Sequence, residues 1–224
     1  MTLTESTPSK IYIGNDEVKS VFLGTNKVRP VWWWWQPWAN TIAYYPLTSN
    51  LNDYSGNNRN LTVAGGTVTY NSSTNMAELE AKLTYSQPLL PTSSDFTFWF
   101  WCYPNSWNNI GDENSWWPLW YMVNMPWEYK WNFKIWTSWY RLWWTSTVSW
   151  PCHLMITRSG STFTLYVNWQ SSSTLTKSGR IEASDDFYIV YRTDWIGAVI
   201  IESVARTAQE VSDYFDQTKW NYGL

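Results

Sequence analysis

Few residues in this 224-residue chain have the type and spacing to do chemistry, and they point to holding a ligand rather than cutting it. A retaining glycosidase needs two carboxyl groups roughly 5–5.5 Å apart, one as nucleophile and one as acid/base. Side chains alternate along a strand, so such a set reads Glu-x-Asp-x-Glu. The nearest match is Glu78-Leu79-Glu80, with Lys82 where the third acid belongs. That departure makes the segment a solvated strand face rather than a catalytic one. His153 is the only histidine, so a nucleophilic triad would have to use it and a two-histidine metal site is excluded. The expectation is a chain with no catalytic residues.

Two binding chemistries remain. Hard cations take several carboxylate and carbonyl oxygens. Asn52, Asp53, Ser55 and Asn57, in a loop over residues 50–60, offer some of them, with Asp53 as the Ca2+ ligand. The competing role for Asp53 is an Asx-turn. Sugar recognition pairs aromatic faces with a few converging polar groups. Tyr54, Asn57, Trp107, Asn109, Asp112, Trp116 and Trp127 form the expected carbohydrate-binding set, beside Trp117, Asn108 and Asn114.

Charge narrows the partners. The net charge is -3, 15% of residues are charged, and no Lys/Arg cluster occurs, which argues against nucleic acid. No stretch approaches the ~20 apolar residues of a membrane span. Met1–Lys10 (MTLTESTPSK) is polar and lacks the apolar segment of a secretory signal, so the expected routes are retention, lysis or assembly into a particle. Cys102 and Cys152 fit either one disulfide or two buried thiols.

The elements that would position these residues are mostly strands. Residues 11–20 (IYIGNDEVKS) and 21–30 (VFLGTNKVRP) are two copies of one unit: an apolar triplet, Gly, two turn formers, then Val and a basic residue. They predict a small β-meander over 1–31 that docks on the rest of the chain or on a partner. Residues 32–40 read as a linker. From Thr41 onward, strand signals recur with turn residues between them, as in a sandwich or barrel. They fall at Thr41–Tyr45, Leu61–Val63, Thr67–Tyr70, Met76–Leu79, Phe96–Tyr103, Leu119–Val123, Tyr129–Ile135 and Tyr140–Trp144, then at His153–Arg158, Phe163–Val167, Phe187–Tyr191 and Ile196–Ser203. One helix is expected near the end. Thr207-Ala-Gln-Glu210 is a capping box, and Val211, Tyr214 and Phe215 share one face.

Several of these segments resemble laminin G-like jelly rolls of the concanavalin A-like lectin/glucanase superfamily. They are Ala43-Tyr-Tyr-Pro-Leu47 with Leu51-Asn-Asp-Tyr-Ser-Gly-Asn57, Asp95-Phe-Thr-Phe-Trp-Phe-Trp101 with Pro104, Cys152-His-Leu-Met-Ile-Thr-Arg158 with Phe163-Thr-Leu-Tyr-Val-Asn168, and Ile196–Glu202 leading into the Thr207 helix. The resemblance covers about residues 41–217. It implies an all-β fold: an antiparallel two-sheet jelly-roll sandwich over 41–224, with the N-terminal β-repeat before it and a short C-terminal helix as a lid. Relatives carry calcium near the first loop. Their second acidic cluster, on the last strand, is here Gly197-Ala198.

Tryptophan breaks the pattern. The chain has 21 Trp and 10 Gly, although a β-rich chain needs glycine for its turns. Asn168-Trp169 stands where two strands must reverse, a place that favours Asn-Gly, and the similar sequences have Gly there. Trp107, Trp116, Trp117, Trp131, Trp136, Trp139, Trp150 and Trp195 also stand beside turn formers, and Trp32–Trp35 reads as a glycine linker. Two readings compete: a Trp-rich, sugar-stacking surface, or a gene in which UGA means glycine. Trp99, Trp101 and Trp120 sit within good strand patterns and read as true tryptophans under both.

The expected function is a non-catalytic, lectin-like virion structural protein of a phage, a fibre, decoration or adhesion component. Its partners are host glycans or other virion proteins, and it forms a homo-oligomer in such a setting. The alternative is a bacterial cell-surface adhesin or carbohydrate-binding module. An endoglucanase is a third reading, weakened by the missing acid.

Overall fold

The computed structural model describes residues 12–13, 16–17, 21–23, 26–28, 39–102, 108–113, 118–125, 128–135, 138–144, 151–181, 186–190 and 194–224. The chain divides into two compact units, Met1–Gln36 and Pro37–Leu224. In the first, each copy of the ten-residue repeat forms a hairpin of its own. β1 (Tyr12–Ile13) pairs with β2 (Asp16–Glu17), and β3 (Val21–Leu23) pairs with β4 (Asn26–Val28). The turn residues 14–15 and 24–25 and the Trp32–Trp35 run lie outside the described residues.

The second unit contains β5 (Thr41–Tyr45), β6 (Thr62–Asn71), β7 (Met76–Tyr85), β8 (Phe96–Cys102), β9 (Asn108–Glu113), β10 (Pro118–Met125), β11 (Glu128–Ile135), β12 (Ser138–Trp144), β13 (Cys152–Ser159), β14 (Thr162–Val167), β15 (Gln170–Thr176), β16 (Asp186–Val190) and β17 (Asp194–Glu202). A helix, α1 (Ala208–Thr218), and a 3-10 turn, Lys219–Tyr222, follow. All described strand pairs are antiparallel. β17 is the corner of the fold. One side of it pairs with β8 over Ile196–Glu202; the other pairs with β7 at Asp194–Ile196 and then with β5 at Val199–Glu202. The register slips between Ile196 and Val199, where β7 leaves to pair with β16 through Lys82–Tyr85. One layer is therefore β5, β17, β8, β13, β14 and β15; the other is β6, β7, β16, β9, β10, β11 and β12.

Alternation along the strands explains the core between these layers. Ala77, Leu79, Ala81 and Leu83 of β7 point in, as do Phe96, Phe98 and Phe100 of β8 and Leu154 and Ile156 of β13. Tyr45 of one layer stacks on Phe187 of the other, with ring centroids 6.4 Å apart. The antiparallel sandwich expected from the sequence is the observed architecture.

Several details depart from expectation. The expected strands Leu61–Val63 and Thr67–Tyr70 merge, but for Leu61, into one strand, β6, with a register shift between Val63 and Gly66. Gly66 has φ +93°, and a Cβ there would overlap the Glu80 carbonyl, so only glycine fits. β9 (NNIGDE) and β15 (QSSSTLT) carried too little apolar signal to be recognised. Neighbours on both sides supply β9 with its ladder, which overrides its weak strand propensity. Finally, the alternating face of β8 that should meet water does not. Thr97, Trp99 and Trp101 are as buried as the phenylalanines, because α1 and the 3-10 turn lie over that face.

The lid is fixed by its cap. Glu210 N donates to Thr207 Oγ1 (3.3 Å), and Thr207 N donates to Glu210 Oε2 (2.8 Å), completing the predicted capping box. Val211, Tyr214, Phe215 and Thr218 are the buried face. Among the described residues, no helix is long and apolar enough to cross a membrane.

Candidate functional site

The loop over residues 50–60 has almost no apolar content and would be floppy without internal bonds. One carboxylate organises it. Asp53 Oδ1 accepts from Tyr44 N (3.0 Å) and Ser55 N (2.8 Å), and its Oδ2 accepts from Ser55 Oγ (2.8 Å) and Arg59 N (3.0 Å). Both oxygens thus face donors, and the Asp53-to-Ser55 N bond is an Asx-turn. The arrangement gives Asp53 a loop-holding task rather than the open oxygens a Ca2+ ion takes. Asn57 is spent similarly. Its Nδ2 donates to the carbonyls of Thr41 and Ile42, both at 3.0 Å, and ties the loop to β5. Arg59 reaches the Ile42 carbonyl (2.7 Å), and the Tyr45 hydroxyl donates to the Arg59 carbonyl (2.7 Å). Burial pushes the Tyr44 and Tyr45 phenols well above their usual range, so both stay protonated donors.

This scaffold presents Tyr54. Its backbone N donates to Tyr44 O (2.8 Å), its ring meets Tyr44 edge-on at 6.4 Å, and its hydroxyl accepts from Asn50 Nδ2 (3.0 Å). Even so, half the residue (50%) stays open to solvent. Exposed Asn52, Asn57, Asn58 and Asn60 surround it in the chain. A fixed aromatic face beside amides is what a pyranose needs: ring C–H groups to stack, and hydroxyls to bond. Tyr54 and Asn57, both expected from the sequence, lie in this loop with Asn50 and Asn60, whose only sequence signal is membership of an Asn-rich stretch.

Of the remaining predicted sugar contacts, Trp107, Trp116 and Trp127 lie outside the described residues. Asn109 and Asp112, read as loop neighbours of those indoles, lie instead within β9. Asn109 pairs with Val123 and Val190, and Asp112 pairs with Trp120 and Phe187. Glu78 of β7 is half-buried and Glu80 exposed, on the face opposite inward Ala77, Leu79 and Ala81. They line a strand surface, as the lysine at 82 implied.

His153 lies on the other side of its sheet, beneath the lid. It is completely buried, 5.1 Å from the Trp99 ring and 5.0 Å from that of Trp101, and neither ring nitrogen has a hydrogen-bond partner. Burial holds its pKa down at about 3, so the imidazole is neutral and packs as an aromatic. Trp101 Nε1 donates to Thr218 Oγ1 (3.2 Å), while its ring stacks on Phe215 (5.6 Å) and Tyr222 (4.5 Å). Gly197 has no Cβ, which leaves room for the Tyr222 ring; the Tyr222 hydroxyl accepts from Ala198 N (2.9 Å). Glu202 is fully buried and chelated by Arg206 at 2.7 and 3.0 Å. Burial drives the Glu202 carboxyl upward, and the Arg206 guanidinium opposes the shift. Cys102 and Cys152 are buried opposite one another on β8 and β13, as thiols with sulfurs 3.3 Å apart.

No family model matches the chain. No curated protein matches it in sequence. Solved structures do match. The binding domain of botulinum neurotoxin DC in complex with rat synaptotagmin II superposes with a TM-score of 0.64 at 16% identity, over 79% of this chain and 51% of that one. The binding domain of botulinum neurotoxin serotype G gives 0.62 at 17%, over 79% and 50%. The neurotoxin DC domain in complex with SialylT gives 0.62 at 16%, over 79% and 51%. The likeness is one of fold. The chain spans about half the length of these structures, and it shares with them a β-rich architecture of binding domains.

Proposed function

We propose that this chain is a non-catalytic recognition module that binds glycans through the 50–60 loop. The carrying observation is Tyr54: half-exposed, fixed by its backbone and by the Asn50 amide at its hydroxyl, on an asparagine-rich loop whose backbone Asp53 ties together. The fold likeness supports the reading, since the similar structures are binding domains, one of them in complex with SialylT and another with rat synaptotagmin II. A glycan array followed by titration of the tightest hit tests it. Tyr54→Ala weakens binding roughly tenfold or more, about 1.4 kcal/mol, with the fold intact. Silence across the array, or a hit that Tyr54→Ala leaves unchanged, overturns the reading.

The setting we propose is a phage virion, with this module as a fibre, decoration or adhesion component. The repeat-built hairpins support this, because two-stranded hairpins are marginal alone and would take stability from another chain. Peptides of this chain in purified particles are the expected result. Their presence in a bacterial surface fraction instead would assign it as an adhesin or carbohydrate-binding module.

A further inference from the structure

Four hairpins in the second unit are joined by two residues each. The paired ends are Met125 and Glu128, Ile135 and Ser138, Ser159 and Thr162, and Val167 and Gln170. Two-residue connections favour type I′ turns, with positive φ at both central residues, and type II′ turns, with positive φ at the first, because these match the strand twist; glycine adopts positive φ freely. The connecting pairs are Pro126-Trp127, Trp136-Thr137, Gly160-Ser161 and Asn168-Trp169. One contains glycine, at φ +58°. Trp136 and Trp169 stand at positions where such turns take positive φ, whereas proline, with φ fixed at about -65°, takes the first pair out of both turn types.

The Asn168-Trp169 turn shows the cost. Asn168 has φ +46° and Trp169 has φ +66°, so both central residues are left-handed. Asn168 suits its place: asparagine tolerates this region, its Oδ1 accepts from His153 N (2.8 Å), and its N donates to His153 O (2.9 Å). Trp169 does not suit its place, because a left-handed Cβ crowds the following carbonyl. Among the other described non-glycine residues at positive φ, Asn58 and Asn75 are the tolerant type, and Leu47 is wholly buried in the core, which offsets its strain. Trp169 has a weaker offset: one ring contact, with Phe215 at 4.6 Å, and 42% of the residue in solvent.

Trp99 and Trp101 form a different class. They lie in β8 with ordinary strand backbone, buried under the lid and packed against its aromatic residues. The chain therefore has tryptophans that its packing demands, and one, Trp169, in a left-handed turn conformation that favours glycine, with Trp136 placed alike in sequence. We propose that residues 136 and 169 are encoded by UGA and are glycine in the natural chain, in a host that reads UGA as glycine, whereas Trp99 and Trp101 are encoded by UGG.

The gene and the native protein decide this together, whatever ligand Tyr54 takes. The codons should read UGA at 136 and 169, and UGG at 99 and 101. UGG at either turn position overturns the proposal. In protein from the native source, trypsin cleaves after Arg158 and Lys177, and the released peptide 159–177 should carry glycine at position 169. Tryptophan there, from a UGA codon, also overturns it. In the recombinant chain, Trp169→Gly should raise Tm by about 2–6 °C through relief of left-handed strain, while Trp169→Ala, which loses the Phe215 contact and keeps the strain, should lower it. Equal losses in both variants would contradict the strain argument.

Discussion

Two aromatic regions of this molecule use the same kind of side chain for opposite ends. Beneath α1, Trp99, Trp101, His153, Tyr214, Phe215 and Tyr222 bury one another and hold the lid on the sheet. At the 50–60 loop, Tyr54 is kept half in water while the residues under it are fully bonded. The first region converts ring area into stability; the second uses polar bonds for stability and leaves a ring free to meet a partner. An exposed aromatic ring on a fully bonded backbone is held in place without being part of the core.

Breaking the lid region should cost most. Trp101→Ala removes a fully buried indole and its hydrogen bond to the Thr218 hydroxyl, for about 3–5 kcal/mol, read as a loss in chemical-denaturation midpoint. Arg206→Ala leaves Glu202 as a buried, uncompensated carboxylate, with a comparable expected loss of about 3–5 kcal/mol. The loss should shrink on acidification as Glu202 protonates, which Trp101→Ala should not show.

The loop should respond less. Asp53→Ala orphans the N–H groups of Tyr44, Ser55 and Arg59 and should cost about 1–3 kcal/mol. Faster amide exchange in residues 50–60, with the lid unchanged, would separate the two regions directly.

His153 gives the lid region a pH signature. Its folded pKa, about 3, lies below the ordinary histidine value of 6.5. The unfolded chain therefore binds a proton below pH 6.5 that the folded chain refuses. The stability associated with neutral His153 is intact above pH 6.5 and declines as pH falls toward 3, at about 1.4 kcal/mol per pH unit. His153→Phe should flatten this part of the stability–pH curve; an unchanged slope would mean that the imidazole is not the responsible group. Smallest of all, Tyr54→Ala should shift stability by no more than about 0.5 kcal/mol, since the ring is half-exposed and the loop bonds remain.

The two regions also differed in how far the sequence revealed them. Strand β8 and the Thr207 cap were legible because alternation and capping are local codes. The double burial of β8 was not, because it depends on a helix about a hundred residues away returning over Trp99 and Trp101. Strands β9 and β15 were hidden because neighbouring strands, not their own residues, make them strands. At the candidate loop, Tyr54 and Asn57 are named by residue type alone. The task of Asp53 is not, because it rests on donors from Tyr44, Ser55 and Arg59 that only the folded loop brings together. The conflict at Asn168-Trp169 was visible in the sequence because turn chemistry is as local as a helix cap.

The most direct test of the recognition claim is a titration of the isotopically labelled chain with the best glycan hit, followed residue by residue in NMR spectra. The account predicts shifts centred on Tyr54, Asn52, Asn57 and Asn60, with Trp101 and His153 silent. Shifts centred on exposed Trp220 and the C-terminal lid, with the 50–60 loop unmoved, would contradict it.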